Sequence, residues 1–201
     1  MTSRTQTICL NMIVKNEARI IQRLLESVIN LIDTYCICDT GSTDNTTEII
    51  ETFFSTHNKP GKIIREPFKD FGYNRTFALK AVYEHMPEID YVLLMDADMV
   101  LTGNCLQDTN IESFKQGLVC DHYHICQGDP KYYYKNVRIV RNNNLFSYWG
   151  VTHEYVNAPS NASIGVFDNE TIFINDIGDG GAKGDKFERD IRLLTKGLED
   201  H

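Results

Sequence analysis

Apolar residues along the first hundred positions follow two alternating rhythms. Ile8 to Val14 is a nearly continuous apolar run, the pattern of a strand buried on both faces. From Glu17 the apolar positions Ile20, Ile21, Leu24, Leu25, Val28, Ile29 and Ile32 recur with a period near 3.6, which predicts a helix. Tyr35 to Cys38 is a second apolar strand, and Gly41-Ser-Thr-Asp44 after it is a turn with several residues able to cap a helix. The helix that follows carries Ile49, Ile50, Phe53 and Phe54. Ile63-Ile64 forms a short third strand, Arg75 to Tyr83 a further helix, and Tyr91 to Met95 a fourth strand. With right-handed crossovers, this alternation predicts a parallel sheet with helices on both faces.

After Asp98 the rhythm changes. Val119 to Cys126 and Tyr132 to Val140 read as longer, half-exposed strands joined by a Gly128-Asp129-Pro130 turn. Trp149 to Val156 and Ile172 to Ile174 are candidates for further strands. The expectation is an α/β fold with a mixed, mainly parallel central sheet, flanking helices and an antiparallel second half. A last amphipathic helix begins at Asp185, with Glu188 at capping-box spacing and Phe187, Ile191, Leu194 and Leu198 in one stripe. It reaches the chain end without a stop signal. The expected division is one domain over residues 1–182 and a C-terminal helix over 183–201, read as the start of a longer helical region.

Composition narrows the function classes. A chain of 201 residues suits one domain with a short appendage. Net charge is −8 with Lys and Arg scattered, so no basic stripe is available to hold a nucleic-acid backbone. An acidic protein that handles a polyanion needs a cation to screen the repulsion. The start, Met1 to Thr7, has no signal-peptide pattern, and no apolar run approaches the roughly 20 residues of a membrane span. A cytoplasmic location is expected, with the six cysteines as reduced thiols. Cys120, His122, His124 and Cys126 alternate on one strand face, but a rise of about 3.3 Å per residue separates the outer two by roughly 20 Å. They cannot all reach one zinc ion. A strand face packed under a helix is expected instead.

The strongest chemical signal is Asp96-Ala-Asp98, directly after the fourth apolar strand. In a doubly wound sheet, ligands bind beyond the carboxyl ends of the strands. Two carboxylates there can face one hard divalent cation, Mn²⁺ or Mg²⁺, that also takes diphosphate oxygens. Strand one ends in Val14-Lys-Asn-Glu17 and strand two in Asp39-Thr-Gly-Ser-Thr-Asp44, on the same edge; backbone groups and small polar side chains there suit a base and ribose. No G-x-G-x-x-G and no P-loop is present. Gly178-Asp-Gly-Gly-Ala-Lys-Gly184 is either a lid over a diphosphate, with Lys183, Lys186 and Arg189 facing it, or a plain connector. Tyr132-Tyr-Tyr134 and Trp149 are either a stacking surface for a sugar or ordinary sheet aromatics.

Together these segments carry a resemblance. Leu10-Asn-Met-Ile-Val-Lys-Asn-Glu17, Cys38-Asp-Thr-Gly-Ser-Thr-Asp-Asn-Thr46 and Leu94-Met-Asp-Ala-Asp98, in that order, resemble the family 2 glycosyltransferases of the GT-A fold. Phe71-Gly-Tyr-Asn-Arg-Thr-Phe-Ala-Leu79 is similar to that family's Arg-containing helix start. Val137-Arg-Ile-Val-Arg141 followed by Trp149-Gly-Val-Thr-His-Glu154 resembles a subgroup whose core ends in a His-Glu segment. Ile177 to Asp190 resembles members that continue into tetratricopeptide-type repeats.

The resemblance implies inverting transfer of a hexose-type sugar from a UDP-sugar to a saccharide or protein acceptor. It places Asp96 at the ribose or metal shell and Asp98 on the metal. Asp39 and Glu17, with Asn16 beside them, fall at the nucleoside, and Arg75 near the base or diphosphate. Many members carry a second Asp after Asp39 that reaches uracil; here that position is Thr40. Inversion also needs a base for the acceptor proton. Glu154 is the first choice by its match to the His-Glu segment, ahead of Asp176 and Asp179, and His153 is a candidate third metal ligand. Two other classes fit the sequence less well. A sugar-nucleotide pyrophosphorylase would want a Gly-rich basic loop after strand one, where Lys15-Asn-Glu17 stands; a non-catalytic binding module would be expected to have lost Asp96 or Asp98.

Overall fold

Four parallel strands occupy one end of the central sheet in the computed structural model, which describes residues 4–180 and 186–199. They are β1 (Ile8–Val14), β2 (Thr34–Asp39), β3 (Gly61–Arg65) and β4 (Tyr91–Leu94), in the spatial order β3-β2-β1-β4. The crossovers are α1 (Ile21–Val28), α2 (Thr46–Thr56) and α3 (Phe71–His85). The near-continuous apolar runs are explained by two core layers. Leu10, Ile37 and Leu93 pack with Leu24, Leu25 and Ile50 from α1 and α2 on one face. Cys9, Cys36 and Val92 pack with Leu79 and Val82 of α3 on the other. Asn11 is a polar residue inside this second layer, and its amide is used twice, donating to the carbonyls of Cys36 (2.7 Å) and Ala78 (2.9 Å). It straps α3 to the sheet without leaving a buried donor unpaired.

The sheet continues as β4-β7-β6-β11-β5, with β10 also paired to β6. These strands are β5 (Met99–Thr102), β6 (His122–Asp129), β7 (Tyr132–Arg141), β10 (Ile164–Val166) and β11 (Phe173–Asp176). β7 runs antiparallel to both β4 and β6, so the sheet is mixed, as expected. β5, β10 and α4 (Asp108–Gln116) have no counterpart in the hydrophobic pattern. The strands are four and three residues long, and α4 buries only Phe114 and Lys115. The expected strand from Trp149 to Val156 is two short strands, β8 (Ser147–Trp149) and β9 (Tyr155–Asn157), paired as a separate ribbon. Between them Gly150 (φ 103°) and His153 (φ 52°) take left-handed conformations that break an extended run.

The pairing of β6 with β7 contains a β-bulge. Tyr123 faces Ile139 and His124 faces Val137, which leaves Arg138 as an extra residue. His122 packs against the ring of Phe146 at 5.9 Å, inside the layer beneath α3, and all six cysteines are free thiols. The last helix, α5, spans Lys186–Glu199; Asp185, its expected cap, lies outside the described residues. Leu193 is its buried residue, while Phe187, Ile191, Leu194 and Leu198 are exposed. Among the described residues, no helix is long and apolar enough to cross a membrane.

Candidate active site

The carboxyl ends of β1, β2 and β4 lie on one edge, because the three strands are parallel and adjacent. At the end of β2, Asp39 is buried and accepts a hydrogen bond from Ser42 N at 3.0 Å. Thr40, in place of the second acid, turns inward, and its hydroxyl donates to the Val14 carbonyl at 3.1 Å. Asn16 has a left-handed backbone (φ 57°); its N–H donates to the Ser42 hydroxyl at 3.0 Å and its Oδ1 accepts from Thr43 N at 2.7 Å. Glu17 N donates to the Thr46 hydroxyl at 2.8 Å, and Asp44 accepts from Ala18 N and Thr46 N. The loops after β1 and β2 are thus knitted into one polar rim, with Asn16, Glu17, Asp39 and Thr40 together at it.

The end of β4 is built differently, by long-range charge pairing. Asp96 is gripped by Arg75 Nη2 at 2.5 Å and by Arg138 Nη1 at 3.4 Å. Arg75 comes from α3, whose N-cap Asp70 accepts from Tyr73 N at 2.7 Å. The same guanidinium donates through Nε to Glu154 Oε1 at 2.6 Å. Glu154 reaches it because the loop 150–154 docks on the start of α3. Phe71 N donates to the Val151 carbonyl at 3.1 Å, and Gly72 lies so close that an added Cβ would stand 2.3 Å from the Gly150 carbonyl oxygen. The Gly in Phe71-Gly-Tyr-Asn-Arg75 is therefore a contact requirement. The Tyr148 ring lies 5.8 Å from Arg75, and burial pushes its phenol up to about 12.

The bulge on β7 aims Arg138 at this cluster. Its Nε donates to Gln127 Oε1 at 2.8 Å and its Nη1 to the Leu94 carbonyl at 3.3 Å. Gln127, buried on β6, uses its whole amide. Its oxygen also accepts from Asn136 (3.4 Å), and its nitrogen donates to Tyr134 Oη (3.2 Å) and Asp176 Oδ2 (3.1 Å). Neither Arg138 nor Gln127 was singled out as a site residue from sequence. Arg138 lies within Val137-Arg-Ile-Val-Arg141, a segment noted only for its resemblance.

The two acids of Asp96-Ala-Asp98 are in opposite electrostatic states. Burial works against the ionisation of Asp96, but Arg75 first and Arg138 second outweigh it and hold its carboxyl below the usual carboxylate range. Among the described residues, Asp98 has no directly paired cation; Arg23, itself paired with Asp179, acts on it only at a distance. Burial, then the charges of Asp96 and Asp176, raise its carboxyl, with only partial relief from Gly180 N, which donates to Oδ2 at 3.3 Å. Gly180 belongs to a segment drawn over Asp98: Ile177 N donates to the Asp98 carbonyl at 3.2 Å, and Asp179 forms a two-pronged pair with Arg23 of α1 at 2.6 and 2.9 Å. The rest of the expected lid, including Lys183, and the Lys186 side chain lie outside the described residues.

His153 is exposed in the loop between β8 and β9. Among the described residues, no three His, Cys, Asp or Glu side chains close on one point, so Asp96, Asp98 and His153 do not form a ready three-ligand set. Asp98 is a carboxylate beside the acids Asp96 and Asp176, with no directly paired cation among the described residues. That donor suits a hard cation which takes one or two carboxylates and completes its shell with diphosphate oxygens and water.

A family description, glycosyl transferase family 2, matches residues 9–173. No curated protein sequence matches the chain. Residues 1–349 of TarS from S. aureus share the fold with a TM-score of 0.61 at 17% identity, over 94% of this chain and 64% of that one. The same fragment in complex with UDP gives 0.60 at 18%, again over 94% and 64%. TarS in a longer form gives 0.62 at 17%, over 94% of this chain and 39% of that one. The chain spans under two thirds of the length of these structures. At such identities the likeness is one of fold, a GT-A architecture.

Proposed function

The chain belongs to glycosyl transferase family 2, and from that premise we propose that it transfers a hexose-type sugar from a UDP-sugar, with inversion and with Mn²⁺ or Mg²⁺. The observation that carries this reading is the asymmetric pair at the end of β4: Asp96 fixed between two arginines, and Asp98 beside it with no directly paired cation among the described residues. The nucleoside lies along the rim of Asn16, Glu17, Asp39 and Thr40, which offers small polar side chains and backbone groups. Its diphosphate extends toward β4. Asp98 would hold the divalent ion, with Asp96 in the surrounding shell and His153 as a candidate further ligand. When bound, the ion stabilises the negative charge that develops on the departing diphosphate. Arg75 adds positive charge near that leaving group.

In the transfer step the acceptor oxygen forms a bond to the anomeric carbon from the face opposite the diphosphate. The anomeric carbon–oxygen bond breaks, and its electron pair leaves with UDP. The acceptor proton passes to Glu154, whose Oε1 is anchored on Arg75 and whose Oε2 is the accepting atom in this proposal. Asp176 and Asp179 are weaker candidates for the base, since neither falls in the His-Glu segment on which Glu154 is chosen. Residues 1–182 form the transferase unit in this reading and 183–201 its helical extension. The six free thiols suit a reducing, cytoplasmic setting.

Calorimetric titration of UDP with and without Mn²⁺, combined with an assay for UDP release, tests the proposal. Asp98→Asn is expected to abolish both Mn²⁺-dependent UDP binding and turnover. Glu154→Gln should bind UDP as the parent does and turn over at least a hundredfold more slowly, roughly the contribution of a general base. An Asp98→Asn protein with parental turnover overturns the metal role. Parental turnover in Glu154→Gln removes it as the base.

A further inference from the structure

We infer that the exposed face of the β6–β7 hairpin carrying Tyr132 and Tyr134 is the acceptor subsite, and that the acceptor is a neutral carbohydrate. The inference rests on the donor reading above. It starts from the order of strands along the site edge. β2, β1, β4 and β7 are consecutive neighbours, so Asp39 and the Asp96–Asp98 segment are two strand spacings apart, roughly 10 Å. A nucleoside diphosphate laid from β2 to β4 delivers its sugar over the next strands, β7 and β6. What stands there beyond Asp96 is the start of β7.

Alternation then sorts the three consecutive tyrosines. Tyr133 pairs with Gly128 and turns to the far side, where its ring meets Phe173 edge-on at 5.8 Å. Tyr132 and Tyr134 share the opposite face with Gln127, the buried amide that binds Arg138 and Asp176. Tyr134 is fixed there, since its hydroxyl takes the Gln127 N–H at 3.2 Å, yet the residue is 57% exposed. Tyr132 is 84% exposed. Two large rings stand in water on a face that leads directly into the catalytic cluster.

The flat faces of such rings match the C–H face of a pyranose, while the polar groups beside them can bond its hydroxyls. Charge around the tyrosines is mixed: Asp129 faces Tyr132 across the hairpin and Asp176 lies beyond Gln127, while Lys131 and Lys135 adjoin the tyrosine run. With no field of one sign at this face, a neutral acceptor fits it best.

The test uses the full chain with UDP-sugar donors and a panel of neutral p-nitrophenyl glycosides as acceptors. UDP affinity is measured separately by calorimetry with Mn²⁺. Tyr132→Ala and Tyr134→Ala are each expected to raise the acceptor KM about tenfold, the equivalent of ~1.4 kcal/mol, at unchanged UDP affinity. Tyr134→Phe keeps the ring and should stay near the parental KM. Parental acceptor KM in both alanine variants overturns the subsite. UDP binding by the parent with transfer only to peptides overturns the carbohydrate class and leaves the donor reading standing. No UDP binding by the parent overturns the donor reading and this inference with it.

Discussion

The two halves of the sheet hold their polar edge in different ways. In the parallel half, each rim residue is fixed by partners from the neighbouring loop and by backbone groups: Asp39 by Ser42, Asn16 by Thr43, Asp44 by Thr46. From the end of β4 onward, where parallel and antiparallel pairings mix, the fixing groups come from far along the chain. Arg75 meets Glu154, Arg138 meets Asp96, and Gln127 meets Asp176. The first half is a rigid base whose rim follows from local turn chemistry. The second is an electrostatic assembly that exists only once the whole sheet has closed.

Damage to the base should therefore be global, and damage to the assembly should cost turnover as well as a smaller share of stability. The largest effect is expected from Leu93→Ala, which empties a fully buried position in the layer shared with α1 and α2. It should cost about 4 kcal/mol in chemical denaturation and lower every probe of folding together. Arg75→Ala comes next, at about 3 kcal/mol, because it takes the paired cation from Glu154 and leaves Asp96 with Arg138 alone. Arg75→Lys should recover part of that stability but little turnover, since one ammonium cannot reproduce a fork that spans two carboxylates. Gly72→Ala is expected to cost about 2 kcal/mol through overpacking against Gly150 and to slow turnover by shifting the loop that carries Glu154.

The smallest effect is the sharpest test. In metal-free buffer, Asp96→Asn should lower the melting temperature by a few degrees and Asp98→Asn should raise it slightly. The pH dependence carries the same signs. The folded-state pKa of Asp96 is depressed, so its stabilising contribution is present above its unfolded value and lost as pH falls through the folded one. That of Asp98 is raised, so the folded state favours its protonated form, and that contribution is lost as pH rises through the folded value. Melting curves between about pH 3 and pH 7 check both. Equal shifts of one sign in the two variants would erase the distinction between the acids.

The same contrast explains what was legible in the sequence. The four parallel strands and their helices were readable because burial on both faces leaves near-continuous apolar runs, and helical stripes recur at their own period. Asp39, Asp96 and Asp98 were readable as residues at the ends of such strands. Arg138 and Gln127 were not, because one is placed by a bulge and the other looks like any polar residue in a half-buried strand. The break between β8 and β9 was also hidden: His153 takes a left-handed backbone that its side chain does not announce. Short strands such as β5 and β10 carry too few residues to show a period.

The bulge at Arg138 has a consequence for how this hairpin can vary. On either side of it the strand keeps correct phase: Ile139 lies opposite Tyr123 in one core layer, and Val137 lies opposite His124 towards the other. Delete Arg138, and Val137 and Ile139 become neighbours in an unbroken alternating ladder. Every tyrosine of the hairpin stays on its present face. The residue is therefore supernumerary to pairing, a single inserted letter that leaves the reading frame of the strand intact. A descendant could lose it without losing the hairpin, and Asp96 would then keep only Arg75.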